Sequence, residues 1–141
     1  MIVLLDTDHF SILQHEQPAA MILRRRLDEL PGNEVCVSIV SFQEQSRGWL
    51  AYLHRARKPE QVLKGFKYLQ NMLHDYLARQ VLPFDERAMQ EFMVLQRQRI
   101  RIGTSDLRIA AIAMANGIKL VSRNLRDFRQ VPGLDVEDWT T

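Results

Sequence analysis

The sequence predicts an α/β fold in which a central, mainly parallel β-sheet lies between two layers of helices. Short apolar runs recur along the chain and have the character of strands buried on both faces of a parallel sheet. Longer segments in which apolar residues recur at helical spacing separate these runs. Strands that alternate with helices are joined by right-handed crossovers, which cover both faces of the sheet. We therefore expect a three-layer α/β/α sandwich.

Five segments are expected to be strands. The first begins with Ile2 and ends at Leu5, where the acidic Asp6 interrupts the apolar run. The next three are similar runs and the last is a short edge strand, at residues 35–39, 80–83, 118–122 and 134–136. The single cysteine, Cys36, lies inside the second run, where we expect a small residue to pack in the core.

Five segments are expected to be helices. Proline fits the first turn of a helix because the N–H groups of that turn have no intrahelical acceptor, which predicts helix starts at Pro18 and Pro59. A carboxylate or hydroxyl can accept from those free N–H groups, which predicts caps at Asp85 and at Thr104 or Ser105. The expected helices are residues 18–30, 41–54, 59–77, 85 through 96, and 104–116.

The third and fourth helices have patterned apolar residues. One apolar stripe runs along the third helix and consists of Val62, Phe66, Leu69, Met72, Leu73, Tyr76 and Leu77. One side of the fourth helix is expected to carry Met89, Phe92, Met93 and Gln96. In the fifth helix, closely spaced alanines predict a close approach of its backbone to the sheet.

Length and composition describe an ordinary globular chain. Its 141 residues are enough for one compact domain and too few for two, so we expect a single domain over residues 1–141. Hydrophobic residues make up 46% and charged residues 26%, which argues against a disordered or membrane chain. No segment reaches the roughly 20 apolar residues of a transmembrane helix, and the first residues do not resemble a secretory signal. We expect a cytoplasmic protein without membrane contact.

Four acidic residues follow the expected strands or open a helix. Asp6 comes directly after the first strand, and Glu44 comes about one helical turn after the second. Asp106 lies in the first turn of the fifth helix, and Asp127 follows the fourth strand by a few residues. In open parallel sheets the functional cleft lies beyond the carboxyl ends of the strands. We therefore expect these carboxylates to gather there.

Carboxylates gathered in one cleft need cations, because their mutual repulsion and burial are costly. Mg²⁺ or Mn²⁺ is the expected ion, since both prefer oxygen ligands. Zinc is a poor candidate because the cysteine is single and the four histidines are scattered. A divalent ion can lower the pKa of a bound water and offset charge on a phosphoryl group. These residues therefore indicate phosphodiester hydrolysis.

Each acid also has a simpler interpretation. Asp106 could favour a helix N-terminus electrostatically, while Glu44 and Asp127 could be solvated surface residues. Asp6 is harder to explain in this way, because a charged residue directly after a buried strand is costly unless it is paired or binds a ligand.

The distribution of charge favours a polyanionic partner. The net charge is +2, and the rest of the chain carries +6 once the four acids are set aside. Such a surface attracts a polyanion when cations neutralise the cleft. Arginines near Asp106 and Asp127 are candidates for contact with a phosphate backbone, and they are Arg97, Arg99, Arg101, Arg123, Arg126 and Arg129. A solvated helix face would explain residues 97–101 equally well.

The order of these motifs resembles the PIN-domain family and, within it, the VapC-type toxins of bacterial toxin–antitoxin systems. The matching segments are residues 4–8 (LLDTD), 37–44 (VSIVSFQE), 102–111 (IGTSDLRIAA), 120–128 (LVSRNLRDF) and 131–139 (VPGLDVEDW). The resemblance covers nearly the whole chain. It departs from the family pattern at Asp8, where Asn is more usual, and at Gln45, where Leu is more usual.

The resemblance implies an α/β/α sandwich that binds Mg²⁺ or Mn²⁺ and cleaves RNA. Asp6, Glu44 and Asp106 match the first three acids of the family. For the fourth, relatives place an acid where either Asn124 or Asp127 stands. We assign it to Asp127, with Asn124 as a helper. Two further positions, Thr7 and Ser122, match residues that often support the acids by hydrogen bonds.

The resemblance also implies partners. Family toxins are usually neutralised by a small antitoxin that lays a helix across a groove and inserts a basic side chain toward the acids. Residues 41–77 offer two long amphipathic helices for such docking, with Trp49, Leu50, Tyr52 and Leu53 nearby. These side chains could equally be ordinary core and surface. A homodimer is a further expectation, and the RNA-contacting arginines would be Arg97, Arg101, Arg123 and Arg126.

Two other functions compete with the ribonuclease toxin. The first is a catalytically silent module whose acids only recruit a basic partner or nucleic acid. The second is a phosphate-accepting signalling domain, for which Asp85 and Lys119 are the candidate residues, although Lys119 falls at the start of a strand. Apart from this signalling hypothesis for Asp85, Asp8 and Asp85 are each expected to be a helix cap or a turn residue.

Overall fold

The structure is a computed structural model that describes residues 1–141, except the side chain of Asn33. Within the described chain, one sheet contains five short strands: β1 (Val3–Leu5), β2 (Val35–Ser38), β3 (Gln80–Leu82), β4 (Lys119–Val121) and β5 (Val136–Glu137). Their order is β3-β2-β1-β4-β5, and every neighbouring pair is parallel. The predicted α/β fold is confirmed, with β1 at the centre.

Helices connect the strands and cover the sheet. Across the described residues they are α1 (Thr7–Gln14), α2 (Ala20–Leu27), α3 (Ile39–Arg55), α4 (Pro59–Leu77), α5 (Glu86–Arg97), α6 (Thr104–Asn116) and α7 (Leu125–Phe128), with a 3₁₀ turn at Gly32–Glu34. Both α1 and α7 were absent from the sequence prediction. Because α1 follows β1 without a linker, it fixes the side chains that come directly after the central strand.

The two layers share the alternating side chains of β1. Leu4 joins a core cluster with Phe92 of α5 and Ile109 of α6. Its neighbours Val3 and Leu5 point the other way, into a second cluster with residues of α1, α2 and α4. All three β1 side chains are fully buried, as predicted for a strand covered on both faces. The three-layer sandwich is therefore confirmed.

Several predicted boundaries are wrong for local reasons. Ile39 begins α3 instead of ending a strand, because the Ser38 side chain accepts a hydrogen bond from the Ser41 N–H at 3.0 Å and caps the helix. Pro18 lies in a turn that precedes α2, in which the Ala20 N–H donates to the Gln17 carbonyl. The edge strand is Val136–Glu137, which begins two residues later and ends one residue later than expected.

The predicted helix caps have different outcomes. Asp85 caps α5, and its Oδ1 accepts from the Ala88 N–H at 3.0 Å. The prediction for α6 is wrong, since Thr104 and Ser105 already lie inside the helix and Gly103 precedes it without a side-chain cap. The N-terminal amides of α6 are thus left without a capping side chain.

The patterned helices are only partly buried. Of the stripe on α4, Met72 and Tyr76 are buried, whereas Phe66 and Leu77 are largely exposed. On α5 the predicted side holds for Phe92 but not for the two methionines. Phe92 is buried together with Ala88 and Leu95, and Met89 and Met93 are exposed. The alanine-rich α6 does pack closely, with Ala110, Ala111 and Ala113 fully buried.

The strand order brings three strand ends together at one edge of the sheet. β2, β1 and β4 are neighbours, so Ser38, Asp6 and Ser122 lie side by side where these strands end. The Asp6 N–H donates to the Val121 carbonyl at 3.1 Å, which holds this edge in register. Among the described helices, none combines the length and apolar character needed to cross a bilayer.

Candidate active site

Asp6 is buried at the end of β1 and caps α1. Its side chain is almost inaccessible, and its Oδ1 accepts the His9 N–H at 2.8 Å. Among the described hydrogen bonds, none reaches the second carboxylate oxygen, Oδ2. A buried carboxylate with a free oxygen is costly unless a cation or donor approaches it. Asp6 is therefore fixed by the fold and still available to bind a ligand.

Glu44 is held by a chain of hydroxyl groups. The Thr7 hydroxyl donates to Glu44 Oε1 at 2.7 Å, so its oxygen is left to accept from Ser41 Oγ, 2.8 Å away. Ser41 Oγ accepts in turn from Ser38 Oγ at 3.3 Å. Ser38 and Ser41 are fully buried, and the chain ties β2, α3 and α1 to a single carboxylate. Thr7 thus lies where a supporting residue was expected.

Asp106 faces Asn124 and Asp127 from the first turn of α6. The Asn124 side-chain amide donates to Asp127 Oδ2 at 3.0 Å and lies 3.5 Å from Asp106 Oδ2. The backbone N–H of Asn124 donates to Ser122 Oγ at 2.9 Å, and Ser122 is fully buried. Ser122 therefore positions Asn124, which in turn contacts both acids.

The carboxylates repel one another strongly enough to alter a pKa. Burial and, to a smaller extent, the charges of Asp6, Glu44 and Asp127 together raise the pKa of Asp106 to about 6. The hydrogen bond from Asn124 opposes this rise. The acids predicted from four distant segments therefore act on one another in the folded chain. Their oxygen donors and excess negative charge fit a hard divalent cation.

A cleft of about 540 Å³ contains most of the predicted residues. Its lining consists of Asp6, Thr7, Asp8, Ser11, Glu44, Gln45, Asp106, Arg123 and Asn124. Asp127 is outside this lining and accepts a hydrogen bond from Asn124, which belongs to it. Of the four arginines predicted to bind RNA, Arg123 lines the cleft, whereas Arg97, Arg101 and Arg126 are exposed elsewhere on the described surface.

Asp8 pairs with Arg123 across the mouth of the cleft. Arg123 donates from Nε and Nη2 to the two Asp8 oxygens at 2.7 and 2.9 Å, and both side chains are about half exposed. Asp8 lies inside the first turn of α1, where Asp6 provides the cap, so the cap or turn predicted for Asp8 is wrong. This pair keeps a guanidinium group beside the acids.

Sequence reasoning missed His9, which lies at the back of the site. His9 is fully buried, with Nδ1 3.5 Å from Asp6 Oδ1. One atom each from Asp6, Asp8 and His9 lies within 4.8 Å of the others, so these residues could also share a cation. The spacing was a usable signal, because the backbone N–H three positions after a helix cap donates a hydrogen bond to the cap's side chain.

The structure contradicts the phosphate-accepting interpretation. Asp85 is occupied as the α5 cap. Lys119 begins β4 and pairs with Glu137 at 2.7 Å and with Asp135 at 3.8 Å. It therefore lies at the opposite end of β4 from Ser122 and the acids.

Comparisons with known proteins agree with this geometry. The PIN domain model matches residues 3–134. Ribonuclease VapC2 of Haemophilus influenzae is 30% identical over 129 residues, covering 84% of this chain and 89% of that protein. A tRNA(fMet)-specific endonuclease VapC of Salmonella typhimurium is 28% identical over 122 residues, covering 83% of each. A chain of a toxin-antitoxin complex from Klebsiella pneumoniae shares the fold, with a TM-score of 0.68, 20% identity and 94% coverage of both chains.

Proposed function

The chain belongs to the PIN-domain family and to its VapC-type members, and from this premise we propose that it is a divalent-metal-dependent endoribonuclease, the toxin of a toxin–antitoxin pair. The observation that carries the proposal is the cleft in which Asp6, Glu44 and Asp106 meet and in which the pKa of Asp106 is raised to about 6. Carboxylates under this repulsion bind a cation favourably. Because RNA is the proposed substrate, we also propose a cytoplasmic site of action.

Each residue of the cleft has a proposed task. Asp6, Glu44 and Asp106 would hold Mg²⁺ or Mn²⁺, and Asp127, which Asn124 contacts, would add negative charge. A bound ion of this kind would lower the pKa of a water and offset charge on the phosphoryl group. Thr7 keeps Glu44 oriented, and Ser122 does the same for Asn124.

RNA contact is assigned first to Arg123. Its guanidinium group lines the cleft and is about half exposed, so a phosphate of the RNA can compete with Asp8 for its donors. The exposed side chains of Arg97, Arg101 and Arg126 remain predictions for more distant phosphates. Relatives named tRNA(fMet)-specific endonuclease make this tRNA the first defined substrate to assay.

The proposed protein partner is a small antitoxin that docks as a helix. Between α3 and α4 lies a groove of about 450 Å³, lined mainly by the apolar residues Phe42, Leu50, Phe66, Leu69, Met72 and Leu73. An apolar groove between helices is the surface that an amphipathic helix recognises. A homodimer remains a second proposal for the exposed apolar side chains.

The decisive experiment is RNA cleavage by the purified chain. We expect total RNA and tRNA(fMet) to be cut when Mg²⁺ or Mn²⁺ is present and to stay intact in excess chelator. Asp6→Asn should abolish cutting, and Asp28→Asn, which changes an exposed aspartate that follows α2 and is not part of this cleft, should leave it unchanged. Full activity in chelator would rule out the metal requirement.

The silent binding module predicts a different result. In that case the folded chain would bind metal and a basic partner but cut no RNA under any condition. Retained RNA binding by Asp6→Asn, together with an absence of cleavage by the unaltered chain, would favour this alternative.

A further inference from the structure

His9 lies between the first acid of the site and the end of the described chain. Its imidazole is fully buried, with Nδ1 3.5 Å from Asp6 Oδ1. On the other side of the ring, the Trp139 N–H donates to Nε2 at 3.4 Å, and Asp138 Oδ1 is 3.7 Å from the same nitrogen. One ring therefore touches both Asp6, which lines the cleft, and residues 138 and 139.

The contacts of the ring assign its tautomer. Because Nε2 accepts from the Trp139 N–H, it carries no hydrogen, and the proton of the neutral ring is on Nδ1. Nδ1 is buried and has no hydrogen-bond partner at normal distance. Nδ1 lies 3.5 Å from Asp6 Oδ1, the oxygen that already accepts the backbone N–H of His9. The backbone N–H of His9 thus bonds one oxygen of Asp6, and its ring nitrogen lies near the same oxygen without a regular hydrogen bond.

The segment behind His9 is firmly anchored. Trp139 is buried in the core cluster that contains Phe10, and its indole N–H donates to Glu137 Oε2 at 2.7 Å. The Arg26 guanidinium lies 4.9 Å above the same ring. Asp138 Oδ1 accepts from both the N–H and the hydroxyl of Thr140. The C-terminal segment is therefore a rigid support for the imidazole.

We propose that His9 is a positioning residue for the cation site. Its Nδ1, 3.5 Å from Asp6 Oδ1, restrains that oxygen electrostatically without a regular hydrogen bond, so that Oδ2 stays available to the ion, and the anchored segment 138–140 keeps the ring in place. Partners of this kind orient metal ligands and raise their affinity for the ion. The inference rests on the proposed binding of Mg²⁺ or Mn²⁺ by Asp6, and it makes the C-terminal segment part of the site.

The test measures Mn²⁺ binding to the RNA-free protein by isothermal titration calorimetry. His9→Asn keeps an N–H donor near the place of Nδ1, His9→Gln places its amide near Nε2, and His9→Leu removes both. We expect His9→Leu and His9→Gln to bind Mn²⁺ about 10- to 100-fold more weakly, and His9→Asn to stay within about threefold of the unaltered protein. His54→Leu, at an exposed histidine of α3, is the matched control and should bind normally.

The outcomes separate this inference from the proposed function. A purely structural role would lower the metal-free Tm of the His9 variants and leave their Mn²⁺ affinity unchanged, which would overturn the inference. If the unaltered chain binds no Mn²⁺, both proposals fail. If it binds Mn²⁺ but cuts no RNA, the nuclease proposal fails while the His9 affinities still decide the inference.

Two spectroscopic measurements keep the inference testable if the variants do not fold. In the unaltered protein, ¹⁵N NMR should show His9 as the Nδ1–H tautomer, and Mg²⁺ should shift its Nδ1 signal but not that of His54. The Nε2–H tautomer would overturn the inference. So would ¹⁴N modulation from His9 in the pulsed EPR of bound Mn²⁺, because it would identify the ring as a ligand.

Discussion

The N-termini of α5 and α6 carry the same kind of residue and use it in opposite ways. Asp85 is exposed and caps α5 through a 3.0 Å hydrogen bond from the Ala88 N–H. Asp106 lies in the first turn of α6, is partly buried, and accepts no capping bond from that helix among the described contacts. Its pKa is raised to about 6.

The difference shows when an acid at a helix start indicates function. Asp85 exchanges water for one backbone donor, which stabilises the fold. Asp106 loses hydration on burial and lies near other carboxylates. Both effects destabilise its charged form. An acid that costs stability in the absence of a cation is a candidate ligand, whereas an acid that is already satisfied by the backbone is not.

The largest expected effect is a separation of activity from stability at these two positions. Asp106→Asn should lower RNA cleavage at least about 100-fold, because loss of a metal ligand costs at least as much as loss of its supporting partners. Asp85→Ala should leave the cleavage rate unchanged and lower the free energy of unfolding by about 1 kcal/mol, since its cap is lost. Cleavage assays and urea denaturation of both variants test this.

The comparison would break if the two variants behaved alike. Equal losses of activity would mean that Asp85 also reaches the substrate, and equal losses of stability would mean that Asp106 supports α6 as a structural acid. Alanine is used at position 85 because asparagine caps helices as well as aspartate does.

Cation binding should stabilise the protein by a free energy that depends on Asp106 of α6 and not on Asp85, the cap of α5. At a Mn²⁺ concentration of about 100 times the dissociation constant, the free energy of unfolding should rise by about 2.7 kcal/mol. We expect Asp85→Ala to keep this increment and Asp106→Asn to lose most of it. Thermal unfolding with and without Mn²⁺ measures both, and a full increment in Asp106→Asn would exclude Asp106 as a ligand.

Asp106 should also make the stability of the metal-free protein depend on pH, and we expect this effect to be smaller than that of Mn²⁺ binding. Its pKa rises from 3.8 to about 6 on folding, so the folded chain keeps a proton that the unfolded chain has already released. The resulting stabilisation is complete below pH 3.8 and is lost as the pH rises through 6. Between pH 5 and 7.5 the unaltered protein should therefore lose more stability than Asp106→Asn, as measured by urea denaturation in chelator.

Most of the fold could be predicted from local patterns. The apolar runs of β1 and β2 and the proline at the start of α4 determine those elements directly. Short elements such as α1 could not be predicted, because its eight residues show little helical periodicity of their own. It forms because Asp6 caps it and because Phe10 and Ile12 pack against the sheet. Tertiary contacts, which no local pattern encodes, decide such elements.

The candidate site was predictable where a residue follows a strand and less so where it supports another side chain. Asp6 and Asp106 stand at positions that the topology brings together. Ser41 acts through a hydrogen bond to Thr7, and His9 touches Asp138 and Trp139, residues that only the fold places beside them. The relative positions of Asn124 and Asp127 also depend on side-chain direction: Asn124 lines the cleft, and its amide donates to Asp127, which is not among the lining residues.

The smallest expected effect is obtained by giving α6 the cap that α5 already has. Gly103 precedes α6 with extended backbone angles, and a side chain added there would meet open space. Gly103→Ser should therefore raise the free energy of unfolding by about 0.5–1 kcal/mol relative to Gly103→Ala, because the serine hydroxyl accepts from the free amides. Urea denaturation measures this difference, and cleavage should remain normal in both variants. Lost cleavage in Gly103→Ser alone would mean that the uncapped amides of α6 themselves contact the RNA.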